Sequence, residues 1–506
     1  MSKRTRILGA LLLPFLLLGA LTVRTPARHA RWVREYEATQ RYLATADANF
    51  DWVVRKRGLD LPALDRETRR RIDDAWSSPM AAIAVRGFVW RFADGHTWAR
   101  IRPGIWWRGM RGESLADAAM PAGASASTDD PPGPVLHDSL SPAGACGVAG
   151  LDLAARPEGW GLPFAEVSGA ESFPDEEFPA VLMPLADGQK VGIVRIATFG
   201  HEHYGPSCAR AWERIRARYP ATGPGGPRWD LVAATIASAS ARVAEVANAL
   251  AQRGAVAVVA DITGNGGGSE LADATARALT AVPLRIAPGG FIRHPLHQRA
   301  LDEQRTVILQ DTAVASLAQR RLMDRAVIRI DSLRQEAARE CDRMAVWTGD
   351  APACSNTVVA PPLIDYAPPG TFAGLADAWA LYGPAWYDAP EGAYAGPLLI
   401  LQDGRSASAS EEFAARLRDN GAARIIGAPS YGAGCGYSDG GTRLELPALG
   451  LLIRAPDCQR LRMDGSNETE GIRPDVDAGW GPDDTPRVRV EKALSAVART
   501  LADAPR

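Results

Sequence analysis

The chain has 506 residues, enough for two or three domains around a large core. Its composition, 46% hydrophobic and 23% charged with a net charge of -2, is that of an ordinary globular protein and lacks the basic excess of a nucleic-acid binder. Only Lys3, Lys56, Lys190 and Lys492 supply amines, a scarcity that bears on the chemistry below.

Lys3, Arg4 and Arg6 precede an apolar run from Ile7 to Val23, broken only by glycines, Pro14 and Thr22. The pattern predicts export, through either an uncleaved anchor over residues 7–23 or a signal peptide over residues 1–27. Thr25-Pro26-Ala27 is the best available cleavage site. Both alternatives put the body outside the cytoplasm, in the periplasm or cell envelope. Six cysteines in an exported chain predict disulfides. Closeness in sequence favours Cys341–Cys354 and Cys435–Cys458, which leaves Cys146 with Cys208, out of fifteen connectivities. No CxxC or HExxH spacing appears, so no metal site and no cofactor is expected.

Residues 30–100 read as a helical cap. Arg31–Ala46, Leu64–Trp76 and Pro79–Trp90 carry apolar residues at helical spacing, and the cap ends at Asp94-Gly95-His96-Thr97. Trp98–Trp107 alternates like a strand. Residues 113–145 are rich in Ala, Gly, Ser, Pro and Asp and predict a long loop, and the connecting region 101–180 shows no clear PDZ-type carboxylate-binding loop.

The main body is expected over residues 181–485. Strands over 190–196, 255–261, 397–401 and 424–427 alternate with helices over 230–252, 269–278 and 411–419, which predicts an α/β layered core. Leu444–Leu446 and Leu451–Arg454 read as a hairpin. A helical insertion occupies about 291–360, with its long amphipathic helix over Thr312–Met344, and residues 486–506 form a C-terminal helix.

Two turns carry chemistry. Thr263-Gly264-Asn265-Gly266-Gly267-Gly268 follows a hydrophobic strand and precedes a helix, so its N–H groups can point at a substrate carbonyl. It lacks the GxxxxGK[ST] lysine and does not match GxGxxG, which excludes a phosphate cradle. Asp261 and Asn265 are expected to organise it by side-chain to backbone hydrogen bonds, with Asp475 doing similar work near the C-terminus. In Arg405-Ser406-Ala407-Ser408-Ala409-Ser410-Glu411, Ser408 sits between a buried strand and a helix. There the positive helix end can stabilise an oxyanion.

Ala260–Gly268, Ser406–Glu411 and Gly471-Ile472-Arg473-Pro474-Asp475-Val476 resemble three signature segments of the S41 serine peptidases, a group that includes carboxy-terminal processing peptidases and tricorn core peptidases. The resemblance implies a crotonase/ClpP-like layered core and a polypeptide substrate. It implies Ser408 as nucleophile and the N–H groups of Gly268 and Ala409 as the oxyanion hole. Processing peptidases place a lysine base in an FGKG-like segment; here the matching stretch is Tyr431-Gly432-Ala433-Gly434, and alanine cannot accept a proton. Histidine is the natural substitute. His96 resembles the histidine that tricorn-type members bring from the cap region, while His201 and His203 are expected to line the substrate cleft. The same resemblance implies Glu468, or Glu470 if the register slips, as the orienting carboxylate, with Thr97 or a water as the link because Gly95 precedes His96.

The expected function is an exported serine endopeptidase working through an acyl-enzyme. Its rivals are a catalytically inactive ligand- or peptide-binding protein on the same scaffold, and an esterase. The sequence leaves cleavage specificity and oligomeric state open.

Overall fold

A computed structural model of the chain describes residues 23–110, 136–159, 161–219, 228–438 and 441–503. The export reading over residues 1–22, most of the 113–145 loop and Trp160 lie outside these residues.

Four helices open the chain: α1 (Pro26–Ala46), α2 (Phe50–Arg57), α3 (Leu61–Asp73) and α4 (Ser78–Trp90). Strand β1 (Trp98–Ile101) is shorter than the alternation predicts, because Pro103 and Gly104 turn the chain into α5 (Pro103–Met110). Next come α6 (Pro142–Val148), β2 (Glu171–Phe173), β3 (Ala180–Pro184), β4 (Lys190–Arg195), α7 (Gly205–Ile215), α8 (Arg228–Gln252), β5 (Ala255–Asp261) and α9 (Leu271–Ala278). The insertion comprises β6 (Gly289–Ile292), α10 (Pro295–Gln310), α11 (Leu317–Ala337) and β7 (Thr357–Ala360). It is therefore two helices framed by strands, where the sequence suggested one long helix. The chain closes with β8 (Leu398–Gln402), α12 (Ala409–Asp419), β9 (Arg424–Gly427), β10 (Leu444–Leu446), β11 (Leu451–Arg454), β12 (Cys458–Arg460), β13 (Val476–Asp477) and α13 (Pro486–Ala502).

The central sheet runs β13-β9-β8-β5-β4-β3-β2. From β4 to β13 its neighbours are parallel, and β2 and β3 add an antiparallel edge. Alternation along the strands gives it two apolar faces. Val194, Val258, Ala260 and Ile400 meet Val243, Leu250 and Phe413 of α8 and α12 on one face. Val191, Ile193, Val259 and Leu401 meet Val490 and Val497 of α13 on the other. The result is a layered α/β core.

The cap helices close a second core over the antiparallel sheet β1-β11-β10, where Trp32, Tyr36, Phe50, Phe88, Phe92 and Trp347 bury against Leu451 and Ile453. A third sheet, β12-β6-β7, joins the insertion to the segment before Gly471. Disulfides link Cys146–Cys208, Cys341–Cys354 and Cys435–Cys458.

Candidate active site

β5 and β8 are adjacent parallel strands, so the turns that follow them emerge side by side at their C-terminal ends. The glycine turn is organised from within: Asp261 Oδ1 accepts from the Thr263 N–H at 2.9 Å and Asn265 Oδ1 from the Gly267 N–H at 2.9 Å. At Gly267, with φ of 104°, a Cβ would come within 2.8 Å of Ser408 Cβ and 2.9 Å of Ala409 N. Glycine is what lets the two turns touch.

Three serines alternate in the second turn, and they divide the work. Ser406 and Ser410 are fully buried and brace the glycine turn: Ser406 Oγ donates to the Ile262 carbonyl at 2.8 Å and Ser410 Oγ to the Asn265 carbonyl at 2.9 Å. Ser408 between them is partly exposed. Its backbone sits at φ 55°, ψ -117°, a conformation that non-glycine residues rarely adopt. It stands at the N-terminus of α12. Among the described residues, neither the Ala409 N–H nor the Gly268 N–H donates a hydrogen bond. One of these amides directly follows Ser408, and the other follows Gly267, which packs against Ser408.

Glu411, one turn into α12, holds this elbow. Its fully buried carboxylate accepts from the Ser408 N–H at 2.9 Å, Ser430 Oγ at 2.6 Å, and the N–H groups of Gly432, Ala433 and Gly434 at 2.6, 2.9 and 3.1 Å. One side chain thus fixes the elbow to the loop that follows β9. The spacing Ser408-x-x-Glu411 is a capping-box signature and was the available sequence signal.

The same loop holds His96. Its Nδ1 lies 3.0 Å from the Ala433 carbonyl. A carbonyl can only accept, so Nδ1 carries the proton and Nε2 is left as the basic nitrogen. Nε2 lies beside Gly436, where a Cβ would come within 3.0 Å of it. Gly95, at φ 110°, packs so closely that a Cβ would sit 3.1 Å from the Ala433 Cβ. The small residue that stands in place of lysine is therefore the surface on which the Gly95–His96 turn closes. Burial lowers the His96 pKa first, against Asp94 and Glu411 and with Arg460, which favours the neutral imidazole. No hydrogen bond joins His96 directly to Ser408; the two meet through Glu411 and loop 432–434.

The carboxylates sit otherwise than the sequence suggested. Glu468 is buried, but Arg460 Nε donates to it at 2.8 Å, and the Ala433 carbonyl, not Glu468, engages His96 Nδ1. Arg460 also donates to the Gly434 carbonyl at 2.6 Å and pairs with Glu412 at 3.0 Å. Glu468 thus reaches the histidine loop only through Arg460, a residue with no local sequence signal. Glu470 Oε1 accepts from Trp52 Nε1 at 3.4 Å, away from the imidazole. Thr97 Oγ1 donates to Asp47, so it does not link His96 to either glutamate. Lys56 of α2 donates to the Thr469 carbonyl at 3.4 Å.

Burial pushes the Glu468 carboxyl up to about 7, with Glu412 and Glu411 adding to the rise and Arg460 opposing it. Below the ordinary value of 4.5 the folded and unfolded chains both hold this proton. As pH climbs from there through about 7 the unfolded chain releases it first, and stability falls. Melting curves should show that fall in the native chain and a smaller one in Glu468→Gln, the remainder belonging to Glu35, which burial also pushes up to about 7.

His201 and His203 lie in the loop after β4, against the glycine turn. His201 Nδ1 is 3.0 Å from Ser269 Oγ, and His203 is more exposed, 3.7 Å from Glu202. A groove of about 710 Å³ beside them is lined by Thr198, Gly200, Glu202, Gly266, Gly267 and Gly268, so that neither histidine lines it, contrary to the expectation from sequence. The Phe199 N–H donates to the Gly267 carbonyl at 2.9 Å and ties the loop after β4 to the glycine turn.

Residues 303–478 match the model of Peptidase family S41. That span includes the Ser408 elbow and Gly471–Val476, though not the glycine turn or His96. Among solved structures the chain is similar to mature CPAF complexed with lactacystin, with a TM-score of 0.52 and 14% identity over 94% of this chain and 99% of that one. A crystal structure of mature CPAF gives a TM-score of 0.51 and 14% identity over 94% and 98%. At this identity the likeness is one of fold.

Proposed function

We propose that the protein is a serine endopeptidase in which Ser408 attacks a peptide carbonyl and His96 Nε2 takes the hydroxyl proton. The oxyanion that forms is met by the N–H groups of Gly268 and Ala409 at the N-terminus of α12. His96 returns the proton to the leaving amine, and water later resolves the acyl-enzyme. The observation that carries this reading is a strained, partly exposed serine together with the unengaged N–H groups of Ala409 and Gly268. Glu468 acts at one remove, by holding Arg460 against the loop that orients His96. Modest closure or one bridging water brings Nε2 to Ser408 Oγ when substrate binds.

A fluorophosphonate probe tests it. Covalent capture at Ser408, lost in Ser408→Ala and strongly slowed in His96→Ala, is the expected result. The absence of direct contact between His96 and Ser408 favours one second reading, a binding protein that keeps the scaffold without turnover. That reading expects no labelling of Ser408 at all. Ester cleavage without any peptide cleavage would instead make the protein an esterase. In a peptidase using neutral His96, kcat/KM should fall only on the acid side, with its midpoint below the usual histidine value of about 6.5.

We also infer that the body works outside the cytoplasm, tethered by residues 7–23. Its three disulfides support this. Thr25 caps α1, its side chain accepting from the Arg28 N–H at 3.2 Å, so cleavage after Ala27 would remove the cap and cut the first helical turn. That favours an uncleaved tether. Among the described residues no helix is long and apolar enough to cross a membrane.

A further inference from the structure

α4 is apolar on both sides. Ala81, Ala82, Val85, Phe88 and Val89 bury into the cap core. The opposite face presents Pro79, Met80, Ile83, Arg86, Gly87 and Trp90, with a single charge at its middle. Ile83 is 63% exposed, Trp90 73% and Met80 38%, and Trp76 just before the helix is 63% exposed. A helix at a protein–water boundary normally turns polar residues outward, so this face lacks its partner.

The position of the N-terminus identifies that partner. Val23 pairs with Ser77 in an antiparallel bridge, and the Arg24 N–H donates to the Trp76 carbonyl at 2.8 Å. The apolar run from Ile7 therefore joins the described structure beside Trp76, at the start of the exposed face. Tryptophan at both ends of the stripe suits the headgroup level of a bilayer, and Arg86 with the flanking Arg91 suits lipid phosphate. A second copy of the chain docked here about a two-fold axis would instead bury Arg86 against the same charge.

We propose that the outer face of α4, with Trp76, is a bilayer-contacting surface that lays the cap on the membrane. This reading rests on the tether inferred above and is independent of the catalytic assignment. It fixes the orientation of the body: the cap faces lipid, and the tether and α4 contact the bilayer together.

Hydroxyl-radical footprinting of the full chain, with and without vesicles of phosphatidylcholine and phosphatidylglycerol, tests it. Trp229 and Trp379, 51% and 46% exposed elsewhere, serve as internal controls. Oxidation of Trp76, Met80 and Trp90 should drop several-fold on vesicles while the controls stay unchanged. The double variant Ile83→Glu/Trp90→Glu should regain oxidation at Trp76 on vesicles, with peptide turnover in solution unaltered. Three results would each overturn the proposal: no flotation with vesicles, flotation without protection of these residues, or protection already present without lipid. The last would mean that another copy, or the chain's own N-terminal segment, covers the face.

Discussion

Ser408→Ala should lower kcat/KM by roughly 10³-fold or more, the scale expected when a nucleophile is removed and only binding and oxyanion donors remain. Its melting temperature should stay nearly that of the native chain. Ser408 lies at φ 55°, and alanine inherits the same unfavourable backbone. Ser408→Gly separates the two effects: it should be equally inactive yet more stable by about 1 kcal/mol, because glycine accepts this conformation freely. Peptide turnover and thermal melting on the three proteins check it. Full activity in Ser408→Ala would end the assignment.

Glu411→Ala should be the most damaging single change near the site. It strands the N–H groups of Ser408, Gly432, Ala433 and Gly434 in a buried setting, at a cost on the order of 3–5 kcal/mol. It also releases the elbow from the loop against which His96 rests. Glu411→Gln is the informative companion. One amide oxygen can still accept from part of the set, so this variant should fold with a smaller loss of melting temperature. Its kcat should nonetheless fall while KM changes little, because the groups disturbed are those that orient the reacting side chains. An unchanged kcat in a folded Glu411→Gln would show that the elbow does not need this tie.

Much of the core could be read along the chain because its strands are short apolar runs bounded by turn residues. Ala255–Asp261 and Arg424–Gly427 occur as expected, and β8 is displaced by one residue. The strands of the insertion were not legible. β6 is Gly-Gly-Phe-Ile and β7 is Thr-Val-Val-Ala, and each exists because it pairs with a distant partner rather than through its own pattern. β2, too, forms by pairing with β3 in a region that reads as connecting chain. At the site, the choice of Ser408 among three serines rested on resemblance; burial of Ser406 and Ser410 supplies the physical reason. The spacing Ser408-x-x-Glu411 marks a capping box, but four of the five donors to Glu411 lie in the loop after β9, and only folding assembles them. Arg460 could not have been found, since its role depends on Glu412, Glu468 and Gly434 converging from three segments.

The Cys435–Cys458 bond stands in the middle of this assembly. Cys435 directly follows Gly434 and precedes Gly436, which lies against the imidazole, and Cys458 lies two residues before Arg460. The covalent tie and the Arg460–Gly434 hydrogen bond therefore clamp one loop from two sides. Opening this bond alone, as in Cys435→Ser/Cys458→Ser, leaves the central sheet and its two apolar faces untouched while loosening the loop against which His96 rests. If His96 is the base, peptide turnover of that double variant should fall well before its melting temperature does.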